Sequence, residues 1–279
     1  RSHPLTGGGQ KRMKVTMPSD KSGLALDVKS LLVGYRDVGV LSPLSFSLPG
    51  GGSLAVIGES GCGKSTLLTT LAGLHPALSG SLVWSDSAGE VSLAHRRTSF
   101  VWQRLGLFPW KRVRENLLLP FKLHPEICPE SERESRVSEM IERLGLAGLE
   151  RRFPSQLSGG QSQRLALGRS LISRPEVLFM DEPFSALDAL LRERLQDHLH
   201  RMRFSQPGTM IFVTHDIREA VFLGSHILIL FPKSHQRSPR FFETPAYCAD
   251  PDARARDSVR FDETVRAVHH ELMSHREPQ

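Results

Sequence analysis

Short, continuous apolar runs recur along the chain at Leu54–Ile57, Val177–Asp181, Met210–Thr214 and His226–Leu230. Continuous rather than alternating hydrophobicity predicts strands buried on both faces, as in a parallel sheet. Helical spacing fills Ala189–Phe204 and Ile217–Phe222, so strands and helices alternate and the fold class is α/β. Earlier in the chain, Leu24–Tyr35 and Leu41–Leu48 alternate apolar with small or polar residues like strands, and Pro49-Gly50-Gly51-Gly52 makes a turn. Gly80–Ser85, Val91–Leu93 and Ser99–Gln103 read as further β segments. Over about 104–174 the pattern becomes mainly helical. In Glu130–Leu144 the apolar residues Val137, Ile141 and Leu144 recur at spacings of four and three. From about Lys233 the chain is Pro-rich, then predicts a closing helix with Phe261, Val265, Val268 and Leu272 on one stripe.

Composition narrows the class. The 279 residues, 39% hydrophobic and 24% charged, suffice for a full core. No apolar run approaches the roughly 20 residues that cross a bilayer, and the first residues lack the apolar centre of a secretory signal. A cytosolic chain is expected unless a partner holds it at a membrane. The formal charge of +6 raises nucleic acid as a partner. Arg1, Lys11, Arg12, Lys14 and Lys21, against Asp20, place most of it in a basic tail over 1–23. The remainder is close to balanced, so nucleic-acid binding is not expected. Cys62, Cys128 and Cys248 are widely spaced and odd in number, which indicates neither a disulfide framework nor a zinc site.

Three stretches carry chemistry. The first strand ends in Gly58-Glu59-Ser60-Gly61-Cys62-Gly63-Lys64-Ser65-Thr66, the pattern G-x-x-x-x-G-K-[ST] between a strand and a helix. Its glycines let successive N–H groups approach one anion, and the helix starting near Lys64 points its positive end at the same place. Lys64 can reach the β- and γ-phosphates, and the Ser65 hydroxyl can ligate Mg²⁺. Cys62 sits where a helix N-terminus can lower a thiol pKa, although a small residue that simply fits is the favoured reading. Second, Asp181 and Glu182 end a buried strand at the side of an α/β sheet where ligands bind. Successive strand residues point apart, so Asp181 is assigned to Mg²⁺, directly or through water, and Glu182 to the attacking water as base. Third, Ser158-Gly159-Gly160-Gln161 opens a helix. Alone it is an N-cap; beside a phosphate cradle it suggests a second γ-phosphate binder, with nucleotide held between two subunits.

Together these motifs resemble the nucleotide-binding subunit of ABC transporters, from about Leu24 to Leu230. Leu157–Gln161 is the family signature and 185–188, Ser-Ala-Leu-Asp, looks like its D-loop, ending in Asp188. Thr214-His215-Asp216 matches the switch histidine, Val101-Trp102-Gln103 the glutamine loop, and Tyr35 the adenine-stacking aromatic. Ser162 and Gly168 stand where the family more often has Gln and Ala. The resemblance implies a P-loop NTPase core with a mainly parallel sheet, an antiparallel β subdomain and a helical insertion over about 104–174. The ATPase domain is expected over 24–232, with a C-terminal extension over 233–279. The cofactors implied are ATP and Mg²⁺, with Gln103 assisting the ion or the water and His215 bonding the γ-phosphate. A second ATP-binding subunit, as a homodimer, would pair head-to-tail so that 58–66 of one faces 158–161 of the other.

With no membrane span, the pore is expected to be a separate integral membrane permease, and the chain peripheral at the cytoplasmic face of the inner or plasma membrane. Leu105-Gly106-Leu107-Phe108-Pro109-Trp110 is an apolar-aromatic loop placed where the family receives the coupling helix; filling the insertion's own core is an equal reading. That loop, with Val113-Arg114-Glu115-Asn116, looks like importers of the nitrate, sulfonate and taurine type, which adds an extracytoplasmic substrate-binding protein as a partner. Exporters, lipid-transport systems and ABC ATPases acting on nucleic acid or ribosomes are the alternatives. A chromosome-structure ATPase would need a long coiled coil between Gln103 and Ser158, and no heptads are sustained there.

Overall fold

The computed structural model describes residues 23–205, 208–233, 237–244 and 258–273, the side chains of 203–205 excepted. Cys248 and nearly all of the basic tail lie outside them. In chain order the strands are β1 (Ala25–Leu32), β2 (Gly34–Tyr35), β3 (Val38–Gly39), β4 (Leu44–Leu48), β5 (Ser53–Gly58), β6 (Ser79–Asp86), β7 (Gly89–Val91), β8 (Thr98–Val101), β9 (Val177–Asp181), β10 (Thr209–Val213), β11 (His226–Leu230) and β12 (Arg240–Glu243). The helices are α1 (Lys64–Leu71), α2 (Val113–Leu123), α3 (Glu130–Arg143), α4 (Gly159–Ile172), α5 (Ala189–Ser205), α6 (Ile217–Leu223) and α7 (Val259–Met273). No helix among the described residues is long and apolar enough to cross a membrane.

Six strands form the central sheet in the order β12-β11-β5-β10-β9-β8. All its pairs are parallel except β11 with β12. The continuous apolar runs have the expected cause, since each strand feeds two cores with alternate residues. Leu54, Val56, Phe179, Ile211, Val213 and Leu228 enter one core. Ala55, Ile57, Leu178, Met180, Phe212 and Ile227 enter the other. The first core lies against an antiparallel sheet, β4-β1-β6-β7, and encloses α1. There Trp84 Nε1 donates to Leu71 O at 3.1 Å and so closes the end of α1. The second core gathers the helical insertion with α5, α6 and α7.

Several boundaries differ from the sequence reading. The β segment expected over Val91–Leu93 is a strand over Gly89–Val91 followed by a 3-10 turn at Leu93–His95. Ser92 accepts from Ala94 N there, a local bond that competes with strand pairing. β8 stops at Val101, before Gln103. The region after Lys233, read from sequence as Pro-rich with a closing helix, adds the unexpected β12 to the central sheet, and the expected helix is α7, packed on the helical core. Phe261 and Val268 of α7 are buried, with Val265 and Leu272 packed beside them.

Candidate functional site

The loop after β5 is shaped for close backbone approach. Gly58 has φ +154°, and a Cβ on it would lie 2.4 Å from Leu230 O. Gly63, at φ +99°, is the N-cap of α1 with no side chain to seal it, so the first N–H groups of the helix remain available to a ligand. Lys64 is buried and folds back over the loop, its Nζ donating to Glu59 O at 2.7 Å and Gly58 O at 3.0 Å. Ser60 and Gly61 are exposed at the turn. Cys62 is 2% exposed in the inter-sheet core. Burial pushes its thiol up, outweighing Lys64 beside it, which corrects the idea of a lowered pKa at this helix end. The small residue that fits is the right description.

At the C-terminal end of β9 the two carboxylates have different surroundings, as the alternation of a strand requires. Asp181 is buried and pushed up, mainly by desolvation, while a side-chain hydrogen bond with Ser65 works in the opposite direction. Its carboxyl therefore faces the start of α1. Glu182 leaves the strand with φ +49°, a left-handed conformation that costs a non-glycine residue about 1–3 kcal/mol. Hydrogen bonds to its own backbone hold it there. Its N–H donates to Val213 O at 3.0 Å, and its carbonyl accepts from Gln163 Nε2 at 3.0 Å and Ser185 Oγ at 3.1 Å. The turn sends the carboxylate toward His215, with Nδ1 3.8 Å from Glu182 Oε2. His215 follows β10, and its side chain is 68% exposed.

Tyr35, on β2, is 52% exposed; its hydroxyl lies 3.4 Å from Thr66 Oγ1 and its ring centroid 4.6 Å from that of His75. The aromatic face thus stands at the edge of the phosphate loop. Gln103 is exposed just past β8, which pairs in parallel with β9 in the register Val101↔Met180. It therefore leaves the sheet at the end where Asp181 and Glu182 lie.

Ser158 to Gln161 are not brought to this site. Ser158 N-caps α4, its Oγ accepting from Gln161 N at 3.3 Å while Gln161 Oε1 accepts from Ser158 N at 2.8 Å. Ser158 and Gly159 are exposed. Among the described residues no hydrogen bond or ion pair joins 158–161 to 58–66. The segment leans instead on the loop over 185–188, where Ala186 N donates to Gln163 Oε1 at 2.8 Å. Asp188 Oδ1 accepts from Leu191 N at 3.0 Å and so caps α5. One chain therefore presents two separate segments, a recessed glycine-rich loop before α1 and an exposed helix start at α4.

Sequence reasoning passed over the groups that brace these halves. Gln163 is a buried amide, one turn into α4, that ties Glu182 to Ala186. Arg164 Nη1 donates to Gly145 O at 2.9 Å and to Leu144 O, fastening α4 to the end of α3. Gly168 has a packing reason: a Cβ there would lie 2.2 Å from Leu144 Cδ1. The aromatic loop after Gln103 is only partly core. Leu107 packs on the helical core, whereas Trp110 is 69% exposed, with Phe108 under the Arg169 guanidinium.

The family described as "ABC transporter" matches residues 41–185. The chain is 38% identical over 236 residues, 83% of its own length and 89% of the relative's, to the aliphatic sulfonates import ATP-binding protein SsuB of Bacillus subtilis. It is 38% identical over 206 residues, 74% of its length and 77% of the relative's, to the taurine import ATP-binding protein TauB of Rhizobium johnstonii. Among solved structures it resembles the dimeric bacterial ABC transporter cassette MJ0796 with TM-score 0.69 and 26% identity, over 79% of this chain and 99% of that one. The same cassette as a post-hydrolysis dimer bound to ADP and Pi gives TM-score 0.68 and 25% identity over the same shares.

Proposed function

The chain belongs to the ABC transporter family, and from that premise we propose that residues 58–66 and 158–161 are the two halves of an ATP site completed only where two copies meet. It is an ATP-binding subunit with ATPase activity, and its partners are a second such subunit and a membrane permease. The observation that carries the composite site is the separation of the two anion-binding segments within one chain. One is recessed, its helix start left without a side-chain cap, and the other stands exposed and caps itself through Ser158 and Gln161.

In this reading triphosphate enters the loop, and Lys64 exchanges the carbonyls of Gly58 and Glu59 for phosphate oxygens, a charge-assisted contact of greater strength. The backbone N–H groups of 58–66 and the positive end of α1 neutralise the remaining charge. Tyr35 offers its exposed ring to the adenine. Glu182 accepts a proton from the attacking water as general base, His215 beside it bonds the γ-phosphate, and the 158–161 segment of the second copy closes the far side.

A divalent cation fits the donor set. Asp181 is a buried carboxylate already bonded to the Ser65 hydroxyl, hard oxygen ligands of the kind Mg²⁺ takes. No group of three or more His, Cys, Asp or Glu among the described residues could hold an ion alone, so Ser65, Asp181 and Gln103 would share it with the phosphates. Bound there, the ion would neutralise charge developing on the transferred phosphoryl group.

The finer function follows the relatives. Solute import of the sulfonate or taurine type is the reading that the names of SsuB and TauB support, and an extracytoplasmic substrate-binding protein and a peripheral position at the cytoplasmic membrane face are proposed with it. The division of the chain into a tail (1–23), an ATPase domain (24–232) and an extension (233–279) belongs to the same proposal. Light scattering on Glu182→Gln tests the composite site. ATP is expected to convert that variant to a stable dimer, with kcat down at least about 100-fold. A variant that stays monomeric with ATP bound, or turns over ATP normally, overturns the reading.

A further inference from the structure

Behind Glu182 and His215 lies a cavity of about 20 Å³, walled also by Arg192, Thr214, Asp216 and Glu219. Two polar atoms of its walls, Glu219 Oε1 and Arg192 Nε, are buried without a hydrogen-bond partner among the described residues. Glu219 is only 5% exposed. Leaving both unpaired in a protein interior is unfavourable, and such groups are ordinarily satisfied by protein or by water. The volume exceeds the roughly 10–15 Å³ that one water needs, and polar partners converge on it from several sides.

The walls come from α5, α6 and the segments that follow β9 and β10. Arg192, on α5, donates from Nη2 to Leu187 O at 3.0 Å, and its Nη1 is 3.9 Å from Asp216 Oδ2. Asp216 caps α6, accepting from Arg218 N and Glu219 N. The Thr214 side chain bonds Glu219. The charges that act on Glu219 are Asp216 from the start of its own helix, Arg192 from α5 and Glu182 from the end of β9. Arg218 pairs instead with Asp262 of α7, at 3.0 Å.

We propose that Glu219 and Arg192 are positioning residues of the ATPase site, gripping one water in this cavity and through it holding Glu182 and His215 in register with the loop over 185–188. The inference rests on the reading of Glu182 as base. Burial, reinforced by Asp216 and Glu182 against the opposing Thr214 bond and Arg192 charge, pushes the Glu219 carboxyl up to about 8. At neutral pH it is therefore an acid with a proton to donate. The water accepts from Glu219 and from Arg192 Nε and donates to the Glu182 carboxylate, which fixes the base without touching nucleotide. Above about pH 8 the donor becomes a third carboxylate beside Asp216 and Glu182, and the arrangement is lost.

Steady-state ATPase of the full chain is measured against pH for wild type, Glu219→Gln, Glu219→Ala and Glu182→Gln, with melting temperatures as a folding control. The wild-type kcat is expected to decline as pH rises through about 8. Glu219→Gln, which keeps a donor that cannot titrate, should hold kcat within about threefold at pH 7 and lose that decline, while Glu219→Ala lowers kcat about tenfold with KM for ATP unchanged. Should the alanine variant fail to fold, the pH profile of Glu219→Gln decides alone. An alkaline decline in Glu219→Gln equal to that of wild type, or a loss as large as in Glu219→Ala, overturns the proposal. Normal turnover by Glu182→Gln would remove the base assignment and this inference together. An inactive Glu182→Gln beside an unaltered pH profile in Glu219→Gln would remove the inference alone.

Discussion

The two anion-binding segments of this chain are built in opposite ways. The loop over 58–66 grows out of the centre of the sheet, with β11 on one side of β5 and β10 on the other. Lys64, Cys62 and Thr66 are buried, and the lysine satisfies its own charge on two loop carbonyls. The segment over 158–161 caps itself by a reciprocal pair of hydrogen bonds between Ser158 and Gln161 and shows its first residues to solvent. On the proposed reading, a buried cradle is preorganised and binds without a partner. An exposed helix start offers a modest attraction to anions, and it contributes most when a second surface excludes water around it.

That contrast can be broken by mutation. The largest effect is expected at the buried half. Lys64→Ala should weaken ATP binding to the isolated chain about 10- to 100-fold in a fluorescent-nucleotide titration, the worth of losing charged hydrogen bonds. Unchanged affinity would mean the cradle is not where the phosphates sit. Next comes the seat of the exposed half. Gly168→Ala places a methyl against Leu144 Cδ1 and should cost about 1–3 kcal/mol by overpacking, seen as a lowered melting temperature. Adding Leu144→Ala should relieve part of that cost, and an additive double mutant would show that the two residues do not share the strain. The smallest effect belongs to the signature hydroxyl. Ser158→Ala removes an N-cap worth about 1 kcal/mol. It should leave ATP affinity of the single chain as it was and lower kcat about fivefold. An equal loss of affinity at Ser158 and Lys64 would erase the asymmetry.

Legibility in the sequence followed how local each interaction is. β5, β9, β10 and β11 announce themselves because both faces of a central strand are apolar, and no neighbour's identity is needed to see it. The phosphate loop and the Ser158 cap are contiguous motifs whose geometry is set within a few residues. Less visible was β12, a four-residue edge strand whose Arg240, Phe241, Phe242 and Glu243 carry no continuous apolar run. The thiol of Cys62 was open to either reading until the inter-sheet core closed over it.

What the order of residues determined by itself was the set of chemical groups: a glycine-rich loop with a lysine between strand and helix, two carboxylates after a strand and a glycine-rich helix start, with His215 singled out by the family resemblance. Those depend on short-range backbone conformation and on the kinds of atoms supplied. Only the tertiary structure decided that Glu182 turns left-handed toward His215, that Arg192 and Glu219 converge behind them, and that the helix start of α4 leans on the loop over 185–188 rather than on the cradle. These facts rest on residues brought together across the chain by packing, and desolvation and orientation are set by neighbours that no linear pattern reveals.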